Sequence, residues 1–347
     1  MPSGAEDSAR SDSPIPDASS IDAGAGIPVD RACDQDLPAG IRVIACTDDY
    51  TQSTVTTSQS ASWYTMEGDL WRVRLGDSEQ LRLARGGTTR LSKLVGSDAA
   101  LFGFSEIDAS ILAWSSAGGF EPSFVSNVAG PYGFFARGDS VLWSTDAPPA
   151  VWERSLSLGP GEGGRLIGRG STNVRSLAAA GEDIVWVSTS TSELSVWRAR
   201  TGAADGEVLT STAPTNWSHS LAALPGRAFL AINRCSGCGI VPIGCCHAWI
   251  VSIDLESGES HVILREGPDP ITGLAVSDRH LAYTTRLLVK VARTSTTALE
   301  PTNIAGTYGS PQDLGLVGRA LSWFDPQRSG DVGRRRGRIL ATTLDGQ

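Results

Sequence analysis

The sequence predicts an all-β protein, a seven-bladed β-propeller, and three observations carry that expectation. A short apolar segment with a bulky side chain recurs seven times. The copies are Ala61-Ser62-Trp63, Leu101-Phe102, Val141-Leu142-Trp143, Ile184-Val185-Trp186, Ala228-Phe229-Leu230, Leu281-Ala282-Tyr283 and Leu321-Ser322-Trp323, spaced 39, 41, 43, 44, 53 and 40 residues apart. An interval of about 40 to 45 residues is the length of one four-stranded blade. Composition is the second observation: 19% of residues are charged, 39 are Gly, and Val, Ile, Thr, Ser and Trp fill the apolar runs, a balance typical of all-β chains. Third, the stretches between copies break into alternating runs bounded by Gly, Asp, Ser or Pro, the mark of strands and tight turns. Six blades and a divergent terminus form the alternative count.

The elements follow in chain order. Residues 1–32 are rich in Ser, Asp, Ala, Gly and Pro and contain no aromatic residue, so they cannot bury enough surface to fold. They read as a disordered tether ahead of a propeller over 33–347. A tether of this kind commonly links an export signal or lipid anchor to an extracellular domain, which places the protein outside the cytoplasm, in the periplasm or on the cell surface, with its leader upstream of this start. Next, Ile41-Arg42-Val43-Ile44-Ala45 is short and β-branched, while the seventh repeat stops after its third strand. Pairing the two would complete the last blade and remove two exposed edges, and a Cys33–Cys46 disulfide would pin the segment.

Within each repeat, strands a to d can be assigned from the inside outward. In the third repeat these are Phe134-Phe135-Ala136, Val141-Leu142-Trp143-Ser144, Val151-Trp152-Glu153-Arg154 and Arg165-Leu166-Ile167. Other inner strands begin near Leu94, Leu177, Leu221, Leu274 and Leu314. Third strands run through Leu70–Val73, Ile111–Ala113, Val196–Ala199, Ile250–Ile253, Leu288–Val291 and Ile339–Ala341. Most of the ten Trp residues fall in strand b or c, where a flat ring fills the gap between twisted blades.

Several function classes are disfavoured. A net charge of −9 opposes general attraction to nucleic acid or an anionic membrane. No run approaches the roughly 18 to 20 apolar residues of a membrane helix. A monomer is expected.

Stretches such as Tyr64-Thr65-Met66-Glu67-Gly68-Asp69-Leu70-Trp71-Arg72-Val73, Leu142-Trp143-Ser144-Thr145-Asp146 and Tyr283-Thr284-Thr285 resemble the YWTD-type propeller repeat of lipoprotein-receptor ectodomains and exported bacterial propellers. The resemblance covers about residues 41–347, without one complete YWTD tetrad. It implies a propeller and an extracytoplasmic setting, although receptor propellers of that type have six blades.

The sharpest local motif is Cys235-Ser236-Gly237-Cys238 followed by Cys245-Cys246-His247, and it explains the 53-residue interval as an insertion between strands b and c of the fifth blade. Six cysteines suit three disulfides in an oxidising compartment: Cys33 with Cys46, and Cys245 and Cys246 each with Cys235 or Cys238, because adjacent cysteines cannot easily bond each other. No cofactor is expected on that reading. The alternative is a zinc knuckle using Cys235, Cys238, Cys245 and His247, and a thioredoxin-like role for Cys235 and Cys238 ranks below both for want of a helix N-terminus.

A second long b–c connection, in the last blade, carries Arg328, Arg334, Arg335, Arg336 and Arg338. Both connections open on one face, so they could present a binding surface to a protein or an anionic ligand. Arg137-Gly138-Asp139 spells an integrin motif but falls where other repeats place an a–b turn. Gly159–Gly164 matches a phosphate-loop pattern with no helix to follow it, and Asn216-Trp217-Ser218 is a lone sequon. No nucleophile elbow or metalloprotease motif is present, and the four histidines are scattered. His219, near the start of an inner strand, is the one catalytic candidate, in the place where lyase-type propellers such as streptogramin lyase carry a histidine. The reading that follows is a non-catalytic binding propeller, with a lyase or hydrolase at the channel mouth as the alternative.

Overall fold

The computed structural model describes residues 37–47, 51–65, 68–75, 80–84, 91–116, 120–158, 163–170, 173–201, 205–212, 219–235, 246–295, 298–307, 311–326 and 337–344. Period-2 sequence becomes strand throughout, and no helix occurs among the described residues. The strands pair into seven antiparallel sheets of four. Six are consecutive in sequence and span 51–84, 91–125, 134–169, 173–212, 219–266 and 273–306; they are blades 1 to 6. Blade 7 contains Gln312–Val317, Ala320–Pro326 and Gly337–Thr343, with Ile41–Thr47 paired antiparallel to the last of these as its outer strand. The first strand of each blade lies against the first strands of its neighbours, and Gln312–Val317 lies against Thr51–Thr56. The ring is therefore closed and has seven blades, not six.

Closure extends the N-terminal strand two residues beyond the β-branched segment, to Thr47. There the Thr47 hydroxyl donates to the Gly337 carbonyl at 3.1 Å, and at the other end Thr342 donates to the Gly40 carbonyl at 2.9 Å. A polar hydroxyl at each end thus fixes the register that the apolar residues Ile44 and Ala45 define by burial.

The core is distributed between blades. Among the described residues seven apolar clusters occupy the seven interfaces, so each blade is held by two neighbours. Tryptophans in second strands are buried, and several face a third-strand tryptophan in register: Trp63 opposite Trp71, Trp143 opposite Trp152, Trp186 opposite Trp197. Trp186 and Trp197 stack at 6.1 Å with planes 10° apart. Trp71, Trp152, Trp197 and Trp249 are half-buried rather than core. Trp186 also requires Gly206, where a Cβ would stand 2.2 Å from the indole Cη2.

Polar bonds between a–b turns fasten successive blades. Asp98 accepts from the Ser58 amide at 2.8 Å and hydroxyl at 2.6 Å, Ser97 donates to the Gly138 carbonyl, and Arg137 donates to the Gly181 carbonyl at 3.4 Å.

Candidate functional site

Strand direction sorts the connections onto two faces. Each inner strand starts on the face that carries the d–a and b–c connections and ends on the face that carries the a–b and c–d turns. The cysteine-rich insertion joins Arg227–Cys235 to Cys246–Asp254, and the arginine-rich one joins Ala320–Pro326 to Gly337–Thr343. Both are b–c connections and leave the same face, as the sequence expects. Cys33, Cys238, Cys245, Arg328, Arg334, Arg335 and Arg336 lie outside the described residues. Cys235 and Cys246 are register partners at the base of the insertion, and His247 is opposite Arg234 and exposed. Cys46, the one cysteine whose side chain is described, is not a free thiol. His219 opens the inner strand of blade 5, with Ile232 as its partner.

Arg338 departs from the sequence expectation. It belongs to the third strand of blade 7 rather than to the loop, it is buried, and its Nε is 3.1 Å from a carboxylate oxygen of Asp325, also buried. A guanidinium held this way serves the blade rather than a ligand on the loop. The Arg-Gly-Asp motif is likewise a turn with its charges committed. Arg137 pairs with Glu153, and Asp139 accepts from Ser155 at 2.7 Å and from Ser140 at 3.3 Å.

What the structure brings together on the d–a/b–c face is a group that no linear motif announced. Lys93 and Arg175 are each the third residue of an inner strand, in blades 2 and 4. Between them, the connection into blade 3 presents Tyr132, which is 48% exposed. The Lys93 ammonium donates to the Pro131 carbonyl at 2.5 Å and to the Tyr132 carbonyl at 2.6 Å. The Arg175 guanidinium stacks over the Tyr132 ring with 4.2 Å from Cζ to the centroid. Burial pushes the Lys93 ammonium below its usual range; the Glu106 carboxylate raises it and the Arg175 charge lowers it.

One buried hydroxyl orders this group. Ser144 Oγ accepts from the Gly133 amide at 2.8 Å and donates to the Val174 carbonyl at 3.2 Å. Gly133 follows Tyr132 and Val174 precedes Arg175, so a single side chain fixes the backbone beside both. Gly133 must be glycine, because a Cβ would meet Leu177 Cγ at 2.7 Å and Ser144 Oγ at 3.3 Å. Sequence reading missed the group because its members are about 40 residues apart and belong to three repeats. The available signal was Tyr132 itself, an aromatic in a Pro-Tyr-Gly connection and out of register with the strand b and c aromatics.

On the opposite side of the rim, Asp313 joins the last blade to the first. Its carboxylate accepts from the Thr54 amide at 2.7 Å and hydroxyl at 3.3 Å. Its backbone is left-handed, φ 50°, within a register irregularity of the inner strand. The residue keeps exposed surface, yet the protein packed around its carboxyl pushes it up to about 6 against the lowering effect of the Thr54 bonds.

No family model matches the sequence, and no curated protein does. The fold is similar to solved propellers. The structure of U3-55K aligns with TM-score 0.64 at 12% identity, over 88% of this chain and 99% of that one. A chain of the mitotic checkpoint complex aligns with TM-score 0.61 at 12% identity, over 87% and 93%. The WD40 β-propeller domain of Doa1 aligns with TM-score 0.58 at 10% identity, over 87% and 97%. At these identities the likeness shows fold alone: this chain is a seven-bladed β-propeller.

Proposed function

We propose that this propeller is a non-catalytic binding platform that presents its d–a/b–c face to a partner outside the cytoplasm. The observation that carries the reading is the Lys93, Tyr132 and Arg175 group, an exposed aromatic stacked under a cation and held in place by Ser144. Tyr and Arg in a pre-ordered setting are the residues that dominate binding energy at protein interfaces. The neighbour from the mitotic checkpoint complex comes from an assembly, which agrees with a scaffold role. The strands that flank 236–245 and 327–336 end on that same face.

The extracytoplasmic setting and the kinship with YWTD-type exported propellers belong to the same proposal. Support comes from the even cysteine count and from the register that sets Cys235 opposite Cys246. Directly opposed residues in an antiparallel pair have Cα atoms about 4.5 to 5.5 Å apart, inside the range a disulfide spans. We assign Cys235 to Cys246, Cys238 to Cys245 and Cys33 to Cys46. Intact mass before and after reduction should differ by six hydrogens, and peptide mapping should return those three links; one bound zinc with four free thiols would reject the assignment.

Selection of a displayed random-peptide library on the full chain tests the platform. Enriched peptides should lose binding to Tyr132→Ala and keep it with Leu158→Ala, a change on the opposite face. No enrichment, or the reverse pattern, rejects the reading.

A further inference from the structure

We propose that Lys93, Tyr132 and Arg175 form a carboxylate-recognition site, and that its ligand is an acidic residue within an extended peptide. This inference rests on the platform reading and names its ligand chemistry.

Arg175 supplies the first argument. Its guanidinium carries five donors in a planar fork that matches a carboxylate. Among the described residues it makes no ion pair and no hydrogen bond, only the stack on Tyr132. Stacking consumes the face of the guanidinium and leaves its edge open, the geometry in which an arginine receives a bidentate acid. Lys93 supplies the second argument. Two of its three N–H donors are taken by the Pro131 and Tyr132 carbonyls, and the third remains for a ligand.

Charge supplies the third. Two cations are placed close enough that Arg175 depresses the Lys93 ammonium, on a chain whose net charge is −9. Glu106 already offsets this repulsion at Lys93, though without an ion pair within 4.0 Å, and Asp108 accepts from Ser105 at 2.9 Å, so neither acid occupies the Arg175 edge. A carboxylate bound here would relieve the repulsion between the cations. The overall negative charge disfavours a polyanion such as nucleic acid.

The surroundings favour a peptide over a small acid. The connection that carries Tyr132 is bonded to the b–c connection of blade 2 through the Val128 amide and the Ala109 carbonyl at 2.8 Å. Ala109 and Asn127 both hold left-handed backbone, φ 46° and 60°, strain that persists only where the surroundings impose it. The blade 2 connection displays Ile107, 65% exposed. An apolar residue on an adjoining loop gives the neighbour of an acidic residue something to rest on.

The test uses the full chain and the peptides selected on it. Enriched sequences should carry Asp or Glu beside an apolar residue. Their affinity should fall at least about tenfold with Arg175→Gln, or when the peptide acid becomes its amide, and Arg175→Lys should recover little of it, because an ammonium lacks the planar fork. The chain has only two lysines, so acylation footprinting gives a readout on the unaltered protein: bound peptide should protect Lys93 and leave Lys290 unchanged. Neutral or basic peptides that bind through Tyr132 but ignore Arg175→Gln would overturn the carboxylate site and leave the platform standing. Failure to enrich any peptide would overturn both. Full displacement of the peptide by glutarate at the peptide's own concentration would overturn the peptide ligand in favour of a small dicarboxylate.

Discussion

Ser144 shows how a single buried hydroxyl can order an exposed side-chain group in a repeat fold. It joins the entry to blade 3 to the inner strand of blade 4, and the two residues beside its partners are Tyr132 and Arg175. Ser144→Ala leaves the Gly133 amide and Val174 carbonyl without this partner in a buried setting, a loss of about 1 to 3 kcal/mol by the usual cost of such groups. Chemical denaturation should report that loss, and peptide affinity should drop although Ser144 touches no ligand. Asp313 makes a different prediction. A carboxyl raised in the folded state stabilises while protonated, so its contribution is complete below the unfolded value near 4 and is lost as pH rises through about 6. Asp313→Asn can still accept from Thr54 and carries no charge. Its unfolding free energy should match the parent's at about pH 4 and exceed it at about pH 7; equal values at both would contradict the assignment of that carboxyl. Neither residue was legible in sequence, because each acts through a neighbour in another repeat.

At the scale of strands, most of the structure was legible. The strand b segments from Trp63 to Trp323, the inner strands from Leu94 onward and the third strands all form where alternation and turn residues placed them. The segment from Ile41 closes blade 7 because its β-branched residues could satisfy an otherwise open edge. Arg338 was misplaced because a run of arginines reads as loop, whereas burial beside Asp325 is a tertiary event that a linear charge pattern does not encode. Asp325→Ala should therefore cost about 3 to 5 kcal/mol, as removal of one partner from a buried ion pair does. A surface role for Arg338 would instead leave stability within experimental error. Gly206→Ala should also destabilise, by about 1 to 3 kcal/mol, since its Cβ would press on the buried Trp186 ring. Thermal melting distinguishes this from a tolerated surface change.

At the scale of the molecule, seven interfaces each hold one apolar cluster, so stability is shared around the ring and depends on its closure. Polar bonds brace the ring on both sides, through the a–b turns on one and through Ser144 and Asp313 on the other. The period of about 40 residues was visible in the sequence because every blade must bury the same kind of strand. The proposed binding group was not, because only the assembled ring brings together positions 93, 132 and 175. Hydrogen exchange of the full chain, with and without a selected peptide, tests the face directly. The account predicts slowed exchange at residues 128–135 and 173–176, with the turns at 138–139 and 156–158 unchanged. Protection confined to those turns would contradict it.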